Sequence, residues 1–517
     1  MANIVLTYEA AGLPTSVTAS MEQPDALVAP AQIWLRAETY EGMAEFLGTG
    51  SQYDGAHMEY EHEWTINGEP IPAFTHVTNL LPEHNNPNKR FGRKVPFVLE
   101  EPGTYSFSLV VTDRLGNAAV LFTDDIVVQD PNVYFPEADR IYVDPLDDFD
   151  ADGVPATATR VTSLEELRTT GLPAHTTNPT WLLFRRGREF SLGGVDPANN
   201  DNYKGVLNIT ETSEVRMLSP YGSGADPVFT QDPRADRNFT KCMIALTKPK
   251  TSNWRTVHDL AFRGYYDPET EHGWNTYMGG VLMEGWNLDG GFSLMHNLTV
   301  TGLSTAVRPG GALNGWGHHQ VLSNIVVTSG WLDFATLGGQ PGQHLAYIGC
   351  NFLQKQLVPN YGAKDDIRTT HGAIRISSSH YVYIAMCSLF SRSDWQDHDQ
   401  ACIRLFTRPD TVQWAVIDRC TMEGGYEVIH LRNTENTIMY PANILISRVF
   451  AVGSTFSSAI LNAERSGFLV RNCVLIRPNV PMLAPSGNAG MIAMGRTNNP
   501  EEDETEESYA YPVGAIG

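Results

Sequence analysis

Seven short apolar segments recur along the second half of this chain, and their spacing limits what it can fold into. They read Asn297-Leu-Thr-Val, Asn324-Ile-Val-Val, Cys350-Asn-Phe-Leu, Cys387-Ser-Leu-Phe, Cys420-Thr-Met-Glu, Arg448-Val-Phe-Ala and Cys473-Val-Leu-Ile. Their starts lie 27, 26, 37, 33, 28 and 25 residues apart. That is the period of one coil of a solenoid, with loops of variable length inserted in some turns.

A second ladder runs between these rungs: Ala373-Ile-Arg-Ile, Cys402-Ile-Arg-Leu, Val428-Ile-His-Leu and Ala459-Ile-Leu-Asn, at intervals of 29, 26 and 31 residues. Each coil therefore holds at least two short strands and no helix-length segment. An all-β stack of this kind, a parallel β-helix, satisfies its backbone groups between coils and buries a column that no single coil could bury. The cysteines at Cys350, Cys387, Cys420 and Cys473 share one rung position. They read as reduced core residues, because thiols in an apolar column behave as small hydrophobes.

The charge balance, 59 acidic against 36 basic residues for a net of −23, repels nucleic acid and anionic lipid. The start of the sequence has no basic and apolar leader, and no later stretch approaches the roughly eighteen uninterrupted apolar residues of a membrane span. The expectation is a protein without a secretory signal, without nucleic acid or membrane as partner, and without a cofactor.

Residues 1–30 form an N-terminal segment and 31–130 a separate unit. In that unit Tyr105, Phe107, Leu109 and Val111 alternate along one strand, Pro102-Gly103 and Leu115-Gly116 supply turns at its ends, and Trp64 is the filler between two sheets. This pattern predicts a β-sandwich. The segment Pro102-Gly-Thr-Tyr-Ser-Phe-Ser-Leu-Val-Val-Thr-Asp113-Arg-Leu-Gly116 resembles the most diagnostic stretch of the PKD family of immunoglobulin-like domains. The Asp-Phe-Gly-Asp-Gly usual in that family is replaced by Thr65-Ile-Asn-Gly. The resemblance implies a spacer or adhesive module rather than catalysis.

The β-helix spans 131–490, and an acidic tail, 491–517, closes the chain with six acids between Glu501 and Glu507. Ser163-Leu-Glu-Glu166-Leu is a capping box opening a short helix, placed to cover the open first coil. The stretches 179–190 and 215–228 resemble the opening coils of right-handed β-helix proteins, among them polysaccharide lyases, bacterial adhesins and phage tailspikes.

Four groups of residues carry possible chemistry. Asp148, Asp150 and Asp152 have the spacing of a calcium loop, but its twelfth position is Thr159 rather than a bidentate Glu. Asp394, Asp397 and Asp399 surround Trp395 in the excursion between two coils. Glycoside hydrolysis needs two carboxylates about 5 to 9 Å apart, and sugars bind on aromatic platforms, so these are the acids and the ligand-binding platform if the chain cuts glycans. Asp365, Asp366, His371 and Arg375 hold letters that also occur in β-helical polygalacturonases, compressed into too few residues to make that site, while Arg375 and Arg404 share a rung and call for an acidic partner or polar ligand nearby. His318, His319, His344 and His380 precede successive rungs, where histidine hydrogen-bonds neighbouring turns.

The combination resembles virion surface proteins of tailed phages, which reach the outside by lysis. Because the regular coils show no paired-carboxylate site, the sequence favours a capsid decoration or cement protein. It would be a homotrimer on the virion surface, assembled in the host cytoplasm and partnered by the major capsid protein or other virion proteins. The alternatives are a tailspike or depolymerase that binds and cleaves host glycan, and a bacterial β-helical polysaccharide lyase.

Overall fold

The computed structural model describes residues 3–10, 13–40 and 60–172, without 69, 78 and 113–117, and from 177 onward the strands and turns of the coils. The excursions 192–206, 210–213, 231–240, 247–253, 265–277, 284–290, 302–304, 310–318, 329–333, 336–341, 354–372, 392–400, 408–413, 434–442, 454–458, 464–467, 477–489 and 495–513 lie outside the described residues, as do 173–176, 378, 425–426 and 517. Among the described residues no helix is long and apolar enough to cross a membrane.

From Arg140–Val143 to Gly490–Met494 the chain winds as a parallel β-helix with three strands per coil. A long sheet of thirteen parallel strands forms one side, ending on Gly514–Ile516, which pairs with Phe468–Val470. A second sheet of ten strands runs from Glu189–Ser191 to Val474–Ile476. The third side is four strands from Leu207–Ile209 to Thr305–Pro309, then six from Phe334–Ala335 to Gly490–Met494. Apolar side chains from all three sides fill one core, including Ile141, Phe229, Leu298, Ile403 and Leu461.

The turn from the long sheet to the second sheet is one residue in the left-handed region: Asp259, Asn297, Asn324, Gly349, Met386, Arg419, Arg448 and Asn472, all with φ between 49° and 58°. Asn and Gly suit that conformation, and a short side-chain ladder supports it. Asn324 Nδ2 donates to Asn297 Oδ1 at 3.1 Å, and Asn297 in turn to Asp259. This corrects the first ladder by one residue. Val326 pairs with Asn351 and Thr421 with Phe450, so the core column is Leu298, Ile325, Cys350, Cys387, Cys420, Val449 and Cys473. Asn297, Asn324 and Arg448 belong to the turn before it. The second ladder shifts likewise at its end, where Glu427, not Val428, pairs with Ala459. Cys350, Cys387, Cys420 and Cys473 are free thiols.

Ser163 Oγ accepts the Glu166 backbone N–H at 3.0 Å, and Glu166 Oε2 accepts that of Thr162 at 2.8 Å. The short helix so started places Leu167 and Leu172 in the core of the first coils.

The N-terminal unit consists of two antiparallel sheets. One is built of Asn3–Ala10, Leu13–Glu22, Ala31–Tyr40 and Lys94–Leu99. The other is built of Glu61–Asn67, Lys89–Phe91, Gly103–Thr112, Ala118–Phe122 and Ile126–Val128. Strand Leu13–Glu22 pairs with Ala31–Tyr40, so the first thirty residues share a sheet with the 31–130 unit instead of forming a segment of their own. Tyr105, Phe107, Leu109 and Val111 are buried in alternation, with Trp64 fully buried and its Nε1 donating to Gly92 O at 3.1 Å.

This unit is not strung ahead of the coils but lies flat on the outer face of the long sheet. Its core is continuous with residues projecting outward from ten of that sheet's strands, among them Trp181, Met217, Trp254, Leu294, Tyr383 and Val416. Polar contacts complete the seam. Asn351 Nδ2 donates to His76 O at 2.7 Å, and the Arg419 guanidinium donates to Asn86 O at 3.0 Å and Lys89 O at 2.7 Å. Buried Asp418 accepts from Ser447 at 2.7 Å, Arg419 at 2.7 Å and Arg448 at 2.8 Å, and Arg448 reaches Glu61 at 3.1 Å.

Candidate functional site

In Ala401–Thr407 and Glu427–Asn433, neighbouring strands of the third sheet, Ile403, Leu405, Ile429 and Leu431 point into the core. Alternation then turns Arg404 and His430 outward. Arg375 pairs with Arg404, Arg404 with His430 and His430 with Asn462, one column across four coils. Although outward, Arg404 and His430 are screened from solvent, 1% and 4% exposed, and Glu427 beside them is 3% exposed. The Glu427 carboxylate lies 2.6 Å from His430 Nδ1. Ionisable groups are rarely buried unless paired, and three together on the outer side of a regular sheet mark a built site. The carboxylate puts a proton acceptor beside the imidazole, and the guanidinium one strand away adds a planar fork for carboxylate or hydroxyl oxygens. Glu427 is the acid of this cluster: it lies against His430, and its neighbour across the sheet is Ala401, three residues before Arg404. Nothing in the sequence singles this residue out, because it lies outside the repeated four-residue window.

A second cluster joins the N-terminal unit to the long sheet. His319 and His344 occupy the same register position of adjacent strands and stack at 4.4 Å and 11°, with Phe292 on the other face of His319 at 4.5 Å and Trp34 across both. Glu22 Oε2 accepts from His319 Nε2, and Lys94 Nζ donates to Glu22 at 2.6 Å and to His344 Nε2 at 2.7 Å. Among the described residues, Glu22, His319 and His344 are the group whose ligand atoms converge closely enough for a metal ion. The Lys94 ammonium already bonds two of those three residues, so a resident cation of the protein itself does the work there. Burial pushes Lys94 down to about 8, against the pull of Glu22. Burial alone would raise Glu22, but the His319 hydrogen bond and the Lys94 charge outweigh it and hold the carboxyl well below the usual range. The two histidines do more than bond neighbouring turns, as their sequence position implied: they are the seat of the N-terminal unit.

The remaining sequence candidates do not form a site among the described residues. Asp148, Asp150 and Asp152 share one turn but do not converge, each lying beside a different arginine, of which Arg188 is shared with Asp144. Arg188 lies 3.4 Å from Asp148, Arg160 is 2.7 Å from Asp150, and Arg185 is ion-paired with Asp152. Asp394, Trp395, Asp397 and Asp399 lie outside the described residues, as do Asp365, Asp366, His371 and His318. In the chain, however, Asp399 stands two residues before Ala401, which pairs with Glu427.

No protein-family model matches the chain, and no curated protein matches it in sequence. Among solved structures it is similar to a family 28 exopolygalacturonase of Yersinia enterocolitica, at 9% identity and a TM-score of 0.33, covering 96% of this chain and 99% of that one. It is also similar to the A-module of a mannuronan C-5 epimerase of Azotobacter vinelandii, at 12% identity and a TM-score of 0.30, covering 62% and 92%. The parallel β-helix rests on the strand register of the three sheets rather than on these likenesses.

Proposed function

We propose that this protein binds and cleaves a polysaccharide, with Arg404, Glu427 and His430 at the centre of the site. The observation that carries the reading is the burial of Arg404 and His430 at outward positions on adjacent strands of the third sheet, with buried Glu427 against His430. The preference for a decoration protein came from the lack of a paired-carboxylate site on the regular coils; this cluster has one carboxylate, and supports a glycan site through its imidazole and guanidinium beside that acid. In this reading Glu427 assists His430 in proton transfer and Arg404 binds an oxygen of the sugar, while Asp394, Asp397 and Asp399, with Trp395 as platform, are the further carboxylates that the sequence supplies just before Ala401. The coils wind right-handed, and the unit over 31–130 is a PKD-type immunoglobulin-like module that stiffens the stack.

A second reading keeps the chain as a protein of a virion surface. It is favoured by an open apolar edge on the N-terminal unit, where Val120 and Phe122 are exposed and another virion protein would seat. The two readings combine in a depolymerase carried on a particle.

The test is incubation of the purified protein with a panel of bacterial surface and plant cell-wall polysaccharides, with released oligosaccharide measured by mass spectrometry. Release by the wild type and a fall of about 10²- to 10⁴-fold in Glu427→Gln supports the reading. No release from any polysaccharide, or unchanged release by Glu427→Gln and His430→Gln, overturns it.

A further inference from the structure

The four-stranded sheet of the N-terminal unit faces the coil stack through Trp34 and Lys94, while the five-stranded sheet leaves an edge open. Ala118–Phe122 pairs with Gly103–Thr112 on one side, and among the described residues no strand pairs with its other side. Its outward residues are apolar: Val120 is 53% and Phe122 63% exposed, and Val127, in the strand that continues this edge, is 63% exposed. Single exposed apolar residues need no explanation, but a row of them on an unpaired strand edge is a template for another strand. Beside the edge runs a groove of about 280 Å³, lined among others by Met21, Leu27, Ile126 and Val127, whose only charged side chains are Asp124 and Asp125.

We propose that this edge is the attachment point for a different protein. An extended segment, apolar at alternate residues and bearing lysine or arginine opposite Asp124 and Asp125, adds as a strand beside Ala118–Phe122. Its apolar face packs on Val120, Phe122 and Val127. Strand addition draws affinity from main-chain hydrogen bonds and specificity from alternate side chains, which is what an open edge with an acidic rim offers. A second copy of this chain is the wrong occupant, since it would bring its own two aspartates to the rim and a net charge of −23 to the encounter. The inference goes beyond the glycan reading and does not depend on it.

The experiment uses the full chain and two labelled synthetic peptides of roughly nine residues, one alternating valine with lysine and one alternating valine with glutamate, followed by fluorescence anisotropy at physiological salt. The lysine peptide is expected to bind and the glutamate peptide not to. Replacing Val120 and Phe122 together by threonine, which keeps strand propensity, should weaken binding about tenfold or more. Asp124→Asn with Asp125→Asn should weaken it less and flatten its salt dependence. Circular dichroism establishes that both variants fold. Failure of the lysine peptide to bind overturns the proposal. So does equal binding to the threonine variant, which would be unspecific attraction to an acidic chain. Sedimentation showing a wild-type dimer that the threonine variant loses would make a second copy the occupant and overturn it as well.

Discussion

At the scale of single residues, the chain places charge where it costs most and compensates it locally. Asp418 is fully buried with two arginines and a serine on its oxygens. Removing one member of such a group leaves the others uncompensated, so Asp418→Ala should destabilise the fold by about 3–5 kcal/mol in denaturant melts, more than an exposed Asp125→Ala control. Glu100 is the opposite case. Burial, with Glu101 and Asp259 nearby, raises its carboxyl to about 7. A carboxyl whose folded pKa lies above its unfolded one contributes stability that is full below about pH 4.5 and is lost as pH rises through about 7. Stability measured from pH 5 to pH 8 should therefore fall further in the wild type than in Glu100→Gln. Equal slopes would contradict the assignment. Residue-level chemistry was the least legible from sequence. Arg404 was flagged by its rung with Arg375, but Glu427 and the Glu22–His319 contact, 297 residues apart in the chain, carry no local signal.

At the scale of elements, the coil period was legible because apolar alternation must repeat wherever strands stack on a common core. The phase within it was not. Asn, Cys and Arg each lead a similar apolar run, and only strand pairing separates the left-handed turn residue from the core residue after it. Gly349 tests this distinction. It holds the left-handed position that Asn and Arg hold in other coils, and a Cβ there would run into the Phe74 ring. Gly349→Ala should cost about 1–3 kcal/mol, and Phe74→Ala in the same chain should return part of that, giving a coupling of at least about 0.5 kcal/mol in a double-mutant cycle. Additive effects would mean that the turn alone, not the seated N-terminal unit, demands glycine.

At the scale of the whole molecule, the N-terminal unit is a wall of the structure. The alternation of Tyr105 to Val111 announced its strands, and Trp64 its core, but nothing in the sequence announced that its outer face would lie on the long sheet. Outward Trp254, Phe292, His319, His344, Tyr381 and Trp414 come one per coil, at excursion-spaced intervals that hide their alignment until the register is known. A chain cut to residues 131–517 uncovers that aromatic row, so it should bind a hydrophobic dye strongly and aggregate, while the full chain does neither. The coil stack then presents its third sheet as the side on which buried charge faces outward. The most direct test of the account is a crystal structure of the protein soaked with an oligosaccharide it releases. A sugar ring on the outer face of the third sheet, hydrogen-bonded to Arg404 or His430, is the predicted result; a sugar bound only on another face, with the Arg404–Glu427–His430 cluster untouched, would contradict it.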